Sequence, residues 1–248
     1  MNINWKFIVK VVGFILILES LFLFLSAVVA HYSQGSDKQA FVYSTIITFA
    51  VGIGLALLAG FRKKTNIISK RESYVGVALS WIAFALFGAL PFYLSGTLSC
   101  FTDALFESMS GITTTGASII PDIDIMPRGI LFWRSLMQWL GGIGIVLFSV
   151  ALLPLLGGGA AQLFDVEVTG LTRDKFRPRV TQVAKRLFGM YVLFTALAIA
   201  LLGISDMGWF DAVCHGFSTI STGGFSTKQA SSAYWNSLYI EGVQILFM

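Results

Sequence analysis

Five apolar blocks of this sequence are each long enough, or nearly long enough, to cross a lipid bilayer as a helix. They cover residues 7–30, 40–61, 74–94, 130–156 and 187–204, against the roughly 20 residues that a spanning helix requires. Of the 248 residues, 56% are hydrophobic and only 12% are charged, which is about half the charge of ordinary soluble domains. The sequence therefore predicts an all-α integral membrane protein.

Basic residues cluster on one predicted side of the membrane. Thirteen of the 17 lysines and arginines lie near the N-terminus, where they include Lys6 and Lys10, or between the second and third blocks, or between the fourth and fifth. Such connections face the cytoplasm, which predicts a multi-pass protein with a cytoplasmic N-terminus and a first helix that is retained rather than cleaved as a signal peptide. Topology thus accounts for the net charge of +4, and we expect no nucleic-acid binding.

Acidic residues collect on the opposite, outer side. An acidic vestibule there would concentrate cations, although acidic residues are also known to be indifferent to topology. The residues concerned are Asp37, Asp103, Glu107, Asp122, Asp124, Asp206, Asp211 and Glu241.

Two outer connections each contain a short apolar helix, predicted at residues 102–112 and 210–220. Each connection begins and ends on the same side of the membrane, and each helix is too short to cross and return. A re-entrant loop fits this pattern, because non-helical backbone is tolerated at membrane depth where it is buried in protein or lines water.

The two short helices, with the polar residues after them, are copies of each other. Shifting the sequence by 108 residues places 103–118 on 211–226, and seven of the 16 positions are then identical without a gap. The flanking apolar blocks match as well. We therefore predict an internal duplication of a helix–loop–helix unit, an arrangement common in transport proteins.

Each copy ends in hydroxyl residues and glycine, at 113–118 and 221–226. An extended segment whose carbonyls face inward suits a dehydrated cation, and glycine permits backbone angles that other residues avoid. The preceding helix directs the negative end of its dipole toward the same place. A Ser/Thr/Gly-rich surface loop is the commoner use of such residues, but the duplication favours the pore.

Charged residues near these segments have simpler interpretations. Asp103 and Asp211 stand at matched positions where an acid stabilises the first turn of a helix. Glu107 and His215 are also matched, and we expect them to form hydrogen bonds behind the loops rather than to bind an ion. Arg134 is expected to snorkel or to pair with an outer acid.

Glu19 lies inside the first apolar block, where a carboxylate is costly and often functional. A structural hydrogen bond, or protonation of the side chain, explains it at least as well.

The helix–loop–helix unit resembles the Trk/Ktr/HKT superfamily of cation transporters. One copy reads Thr-Thr-Thr-Gly-Ala-Ser and the next Ser-Thr-Gly-Gly-Phe-Ser, and the two helices ahead of the first unit resemble the bacterial TrkH type. The resemblance implies re-entrant half-helices and a potassium-channel-like pore built from four such units. It also implies potassium uptake across the bacterial inner membrane as the pore subunit of a Trk-like system.

The resemblance further implies a site, a cargo and partners. Potassium would be the transported ion, with no cofactor and no transition metal. A homodimer within the lipid bilayer and a cytosolic nucleotide-binding regulatory subunit are the implied partners. The family's ion-coordinating positions carry over to Thr114, Thr115, Gly116, Thr222, Gly223 and Gly224.

Four regions follow from this interpretation. Residues 1–72 form an N-terminal pair of helices, and residues 73–160 form the first helix–loop–helix unit. Residues 161–186 form a cytoplasmic basic loop, and residues 187–248 form a second unit that stops within its last helix. Because the family pore needs four units, we interpret the chain as the N-terminal half of a longer protein.

Other functions remain open from the residues alone. A sodium- or proton-coupled secondary transporter would also use broken helices, and a membrane scaffold or sensor would carry the loops on its surface. Sodium is the rival ion, although a glycine in the filter goes with potassium in this family. No nucleotide-binding or hydrolase motif occurs, and Cys100 and Cys214 lack metal-ligand spacing, so we expect no enzymatic activity.

Cysteine labelling separates buried loops from surface loops. We expect Thr115→Cys and Thr222→Cys to resist bulky, membrane-impermeant thiol reagents added from outside, because a pore excludes them. Lys38→Cys, in a predicted outer connection, serves as the reactive control. Free reaction at both loop positions would place the loops on the surface and remove the basis for a pore.

Overall fold

A computed structural model describes residues 3–60, 69–152 and 176–248 of the chain, and these residues contain helices and no strands. The α-helices, in chain order, are α1 (Trp5–Tyr32), α2 (Lys38–Ala59), α3 (Lys70–Gly88), α4 (Leu90–Leu94), α5 (Phe101–Ile112), α6 (Arg128–Leu152), α7 (Phe176–Ile204), α8 (Trp209–Ile220) and α9 (Leu238–Phe247), with a 3-10 turn at Ser231–Trp235. Five stretches, in α1, α2, α3–α4, α6 and α7, are long and apolar enough to cross a membrane. The predicted all-α membrane fold is confirmed.

Most helix boundaries lie close to those that the sequence predicts. The exception is α7, which begins at Phe176 and not at residue 187, so residues 176–186 of the predicted basic loop are helical. The two short helices, α5 and α8, contain 12 residues each and begin one residue earlier than expected. The third span is interrupted at Ala89, just before Pro91 in the first turn of α4, because proline supplies no backbone N–H for a continuous helix. The predicted end of the fourth span, and the basic loop as far as residue 175, lie outside the described residues.

Helix α6 lies at the centre of the described fold. It packs against α1, α5, α7 and α8, and it buries Trp133, Arg134, Leu136 and Met137 almost completely. It is also the most buried and the least apolar of the five candidate spans. A span that contacts protein on most of its surface can carry polar side chains, provided that they find partners there.

The first two helices pack closely against each other at a pair of glycines. A Cβ atom added to Gly13 would lie 2.9 Å from the Gly52 carbonyl oxygen, and one added to Gly52 would lie 3.0 Å from the Gly13 carbonyl oxygen. Small residues at such a crossing let helix backbones approach within a membrane. The α1–α2 hairpin therefore forms a paired element, which contacts the rest of the fold through α3, α4 and α6.

Two acidic side chains fasten this hairpin at its ends. Glu72 completes a capping box with Ser69 at the start of α3, and its other oxygen accepts a hydrogen bond from the Asn4 backbone N–H at 2.9 Å. At the opposite end, Asp37 lies directly before α2, yet its side chain does not cap that helix. It accepts a 2.9 Å hydrogen bond from the backbone N–H of Ile130, in the first turn of α6. A carboxylate at a helix N-terminus satisfies a free N–H group and interacts favourably with the helix dipole.

Asp37 therefore does not belong to the acidic outer surface in which the sequence analysis placed it. The side chain is completely buried, so it is not available to attract cations from solution. Burial raises the pKa of Asp37, and the backbone hydrogen bonds from Ile130 and Gly129 only partly oppose this rise.

Replacing Asp37 tests this cap. We expect Asp37→Ala to lose about 1 kcal/mol of stability, which is typical of a lost helix cap, whereas Asp37→Asn keeps an oxygen acceptor. The pKa of Asp37 is higher in the folded state than its ordinary value of 3.8. The wild type therefore loses stability as the pH rises from 3.8 through the raised pKa of the folded state, because the carboxyl group ionises in the unfolded chain before it ionises in the folded one. The asparagine side chain does not ionise, so the stability of Asp37→Asn relative to wild type should increase across that window.

Thermal unfolding in detergent, measured at pH values on both sides of the window, gives the comparison. A loss in Asp37→Asn as large as that in Asp37→Ala would contradict capping by the side-chain oxygen.

Candidate functional site

The polar segments that follow α5 and α8 have the same backbone conformation. We call residues 113–118 loop A and residues 221–226 loop B. In loop A, φ is +55° at Thr114 and +77° at Gly116; in loop B, it is +52° at Thr222 and +84° at Gly224. These positions correspond under the 108-residue shift, so the duplication extends to local geometry. Positive φ at a β-branched threonine is uncommon and strained, and such strain concentrates at functional sites.

Each loop is joined to the end of its short helix by the same pair of backbone hydrogen bonds. In loop A, the N–H of Thr114 bonds to the Gly111 carbonyl at 3.1 Å and that of Thr115 to the Ser110 carbonyl at 3.0 Å. In loop B, Thr222 and Gly223 form the equivalent bonds, at 3.0 Å and 2.9 Å. These bonds use the last free carbonyls of the helix and turn the following backbone away from the helix axis.

The two loops meet at their glycines. A Cβ atom added to Gly116 would lie only 2.0 Å from the carbonyl oxygen of Gly223, so that oxygen points toward loop A. Among the other predicted site residues, Thr115, Thr222 and Gly224 are exposed and Thr114 is half-buried. The six predicted positions thus lie in two adjacent loops that offer backbone and hydroxyl oxygens, the ligands that suit an alkali cation. Ion binding at these residues remains a prediction.

A buried ion pair supports loop A from behind. The Arg134 Nε donates to the Glu107 Oε1 at 2.7 Å, and the two side chains are 1% and 0% exposed. Glu107 also accepts hydrogen bonds from the Ser118 hydroxyl and the Ile119 N–H, both at 3.0 Å. The predicted role of Glu107 behind the loop is confirmed. Arg134 pairs with an acid as predicted, but it does not snorkel.

Arg134 also reaches loop B, a contact that the sequence analysis missed. Its Nη1 donates to the Ser226 carbonyl at 3.1 Å, and its guanidinium lies 4.1 Å from the centre of the Phe225 ring. The same guanidinium donates through Nη2 to the Ser118 hydroxyl at 3.0 Å. One side chain of α6 therefore contacts both loops.

His215 supports loop B in the place where Glu107 supports loop A. Its Nε2 lies 3.2 Å from the Ser226 hydroxyl, and its Nδ1 lies 3.2 Å from the Gln244 Nε2 of α9. The Ser232 hydroxyl donates to the Oε1 of Gln244. The amide NH₂ of Gln244 is therefore the group that faces the His215 Nδ1, and it donates to that atom. Neutral His215 then carries its proton on Nε2, so the predicted hydrogen bonding behind loop B is confirmed.

Gln138, one turn after Arg134 in α6, is a second residue that the sequence analysis missed. Its Oε1 accepts hydrogen bonds from the Ser218 hydroxyl at 2.7 Å and from the Phe225 N–H at 3.1 Å. The side chain is completely buried. A glutamine within an apolar span was a visible signal, but the sequence did not show that its partners lie 80 residues away or more.

Two acidic residues lie at matched positions at the start of the short helices. Asp103 and Asp211 lie in the first turns of α5 and α8, as predicted, and Asp211 accepts a 2.7 Å hydrogen bond from the Thr227 hydroxyl. Beyond the loops, Gln229 joins the two units, because its side-chain oxygen accepts the Ile123 N–H at 3.1 Å. No cluster of three or more potential metal-ligating side chains occurs within the described ranges.

Glu19 is fully buried in α1, and neither of its oxygens has a hydrogen-bond partner among the described residues. It faces Gly88, since a Cβ atom there would lie 3.3 Å from the Glu19 Oε1. The structural hydrogen bond that the sequence analysis considered is not found. An ionised carboxylate without a donor is costly inside a membrane protein, which leaves protonation and a functional role as the two interpretations of Glu19.

Comparison with known proteins identifies relatives across nearly the whole chain. Residues 37–248 match the family model "TrkH: Cation transport protein". The chain is 39% identical over 245 residues to the Trk system potassium uptake protein TrkH of Halomonas elongata, covering 98% of this chain and 50% of that protein. It is 37% identical over 232 residues to TrkG of Escherichia coli K12, covering 92% of this chain and 47% of that protein.

A solved structure has the same fold. The crystal structure of the potassium transporter TrkH from Vibrio parahaemolyticus matches with a TM-score of 0.85 and 33% identity, covering 100% of this chain and 49% of that one. The chain spans about half the length of the curated relatives it matches.

The buried ion pair gives a testable effect on stability. We expect Arg134→Gln to destabilise the protein by about 3–5 kcal/mol, because it leaves the Glu107 carboxylate buried without a counter-charge. Adding Glu107→Gln to this variant should recover a large part of the loss, since no uncompensated charge remains. Thermal unfolding of the single and double variants in detergent measures the coupling between the two side chains.

Arg128→Gln is the matched control, because Arg128 lies on the same helix but is exposed and should change stability little. A double variant that is no more stable than Arg134→Gln alone would contradict the pairing.

Proposed function

The chain belongs to the TrkH family of cation transport proteins, and on that premise we propose that it forms half of the potassium pathway of a bacterial uptake system. Thr114, Thr115, Gly116, Thr222, Gly223 and Gly224 would then supply the ion-coordinating oxygens. The observation that carries this proposal is the approach of the Gly223 carbonyl to Gly116, between two loops of matched backbone conformation.

Three features of the described residues support a cation as the cargo. The C-terminal ends of α5 and α8 direct the negative ends of two helix dipoles toward the loops. Positive φ at Gly116 and Gly224 alternates the direction of successive peptide groups, so that more than one carbonyl can face the same side. Neither loop places a basic side chain at its exposed residues, and Arg134 stays behind the loops, paired with Glu107.

Selectivity would come from the backbone. A potassium ion that enters the pathway loses water, and carbonyl and hydroxyl oxygens of the loops replace it. The networks centred on Glu107 and His215 limit the movement of the loops, so the oxygens cannot close around a smaller sodium ion without breaking hydrogen bonds. The relatives named as potassium uptake proteins are consistent with this assignment.

The whole protein would complete the pathway with further units of the same kind. We place its N-terminus in the cytoplasm, following the distribution of basic residues. By family resemblance, we also propose that it assembles as a homodimer with a cytosolic nucleotide-binding regulatory subunit. Cross-linking in membranes tests the dimer, and purification from the native host tests the regulatory subunit.

Growth on low potassium tests the function itself. The full-length protein should restore growth to a bacterium that lacks its own potassium uptake systems. Failure to do so, with membrane expression confirmed, would overturn the proposal. A coupled secondary transporter would be distinguished by uptake that collapses when the proton or sodium gradient is removed while the potassium gradient is kept.

Gly116 is the most sensitive position for selectivity. We expect Gly116→Ser to lower the ratio of potassium to sodium uptake by about tenfold, which corresponds to about 1.4 kcal/mol of relative ion free energy. The added Cβ would collide with the Gly223 carbonyl oxygen, and serine tolerates the positive φ poorly. Gly224→Ser should have a smaller effect, because it introduces the same φ strain but has no atom within 4 Å of its Cβ.

Gly96→Ser is the matched control. Gly96 has φ of +72° and no atom within 4 Å of an added Cβ, but it lies in the connection between α4 and α5. An unchanged ion ratio in Gly116→Ser, or an equal loss in Gly96→Ser, would contradict the assignment of Gly116 to the ion pathway.

A further inference from the structure

We propose that Gln138 is a positioning residue for ion selectivity, which holds loop B in its ion-coordinating shape from the helix of the neighbouring unit. The inference rests on the proposed function and adds to it a residue outside both loops.

Beyond the backbone hydrogen bonds that both units share, the side-chain hydrogen bonds between loop and short helix differ between the two units. In the first unit, the Ser110 hydroxyl of α5 donates directly to the Ala117 carbonyl of loop A at 2.6 Å. In the second unit, the matched serine, Ser218, donates instead to Gln138 at 2.7 Å, and the matched loop residue, Phe225, donates its N–H to the same oxygen at 3.1 Å. The Gln138 oxygen thus takes the place of the direct bond.

The orientation of the Gln138 amide is fixed by its partners. The Phe225 backbone N–H can only donate, so the atom facing it must be the side-chain oxygen and not the NH₂ group. A rotated amide would place two donors against each other. One oxygen atom therefore holds both the end of α8 and the middle of loop B, and it does so from a fully buried position.

The sequence of loop B is adapted to this amide. A Cβ atom added to Gly223 would lie 2.3 Å from the Gln138 Cδ and 2.5 Å from its Oε1, so only glycine leaves room for the amide. The matched position in loop A is Thr115, an exposed residue whose hydroxyl lies 2.8 Å from that of Thr113. The difference between Thr115 and Gly223 therefore follows from the presence of Gln138.

The support is also specific to one helix. Arg134, one turn earlier in α6, donates to the Ser226 carbonyl at 3.1 Å, so α6 holds two consecutive residues of loop B. The matched positions in α9 are Gly242 and Leu246, neither of which offers a hydrogen-bonding side chain. Among the described residues, α6 therefore supports loop B at two positions that have no hydrogen-bonding counterpart in α9.

Removal of the Gln138 oxygen should therefore change the ion path without removing any of its ligands. The Phe225 N–H and the Ser218 hydroxyl would lose their acceptor inside the protein, and an unpaired buried donor is costly. Loop B would move to find other partners. Gly223 contacts Gln138, and its carbonyl oxygen faces Gly116. That oxygen would therefore move with loop B.

Ion competition in the full-length protein tests the inference. Gln138→Met is similar in length and has no acceptor oxygen, and we expect it to lower the ratio of potassium to sodium uptake by about tenfold at equal amounts of protein in the membrane. Gln138→Glu keeps an oxygen at the same place and should retain most of the selectivity. Ser80→Ala is the control, because it removes a buried hydroxyl that bonds only within α3, to the Gly76 carbonyl.

Ser218→Ala provides an independent variant should Gln138→Met fail to reach the membrane. It removes one of the two bonds to the Gln138 oxygen and should give an intermediate loss of selectivity. A selective wild type together with unchanged ratios in both Gln138→Met and Ser218→Ala would overturn this inference alone. A wild type without potassium uptake would overturn the proposed function, and this inference with it.

Discussion

The buried ion pair between Arg134 and Glu107 is the interaction on which the arrangement of both loops depends. Two charges inside a membrane protein are tolerated only when each satisfies the other and their remaining hydrogen-bonding atoms have partners. Here those partners are Ser118 of loop A and Ser226 of loop B. Satisfying the charges therefore fixes the distance between the loops, and α6 has to lie between them.

Most elements of the fold could be predicted from the sequence, and so could the hydrogen bonding of Glu107, His215 and Arg134, but the long-range partners that join the elements could not. Length and apolar content predict a membrane span because the bilayer acts on each segment separately. The same is true of the short helices and of the glycines, whose role follows from local backbone conformation. Asp37 and Gln138 form their hydrogen bonds with Ile130 and Phe225, 93 and 87 residues away in sequence, and no local pattern encodes such pairings.

The duplication explains both the success and the limit of the prediction. The two loops have similar φ angles at matched positions. A comparison of the copies identified the two loops, and the family resemblance then gave the six residues that we assign to the pathway. The residues behind the loops differ, with Glu107 and Arg134 in the first unit and His215 and Gln244 in the second. The residues that are identical in the two copies therefore predict the backbone conformation that the loops share. They do not predict which side chains form hydrogen bonds to each loop.

The cap on α6 by Asp37 bears on how the chain enters the membrane. A ribosome produces the α1–α2 hairpin first, and the N–H group that Asp37 binds belongs to a residue translated 93 positions later. Until α6 is present, the Asp37 carboxyl group lacks this hydrogen-bond donor. The cap on α6 therefore forms only after α6 itself is made, and it joins the α1–α2 hairpin to the helix that holds both loops.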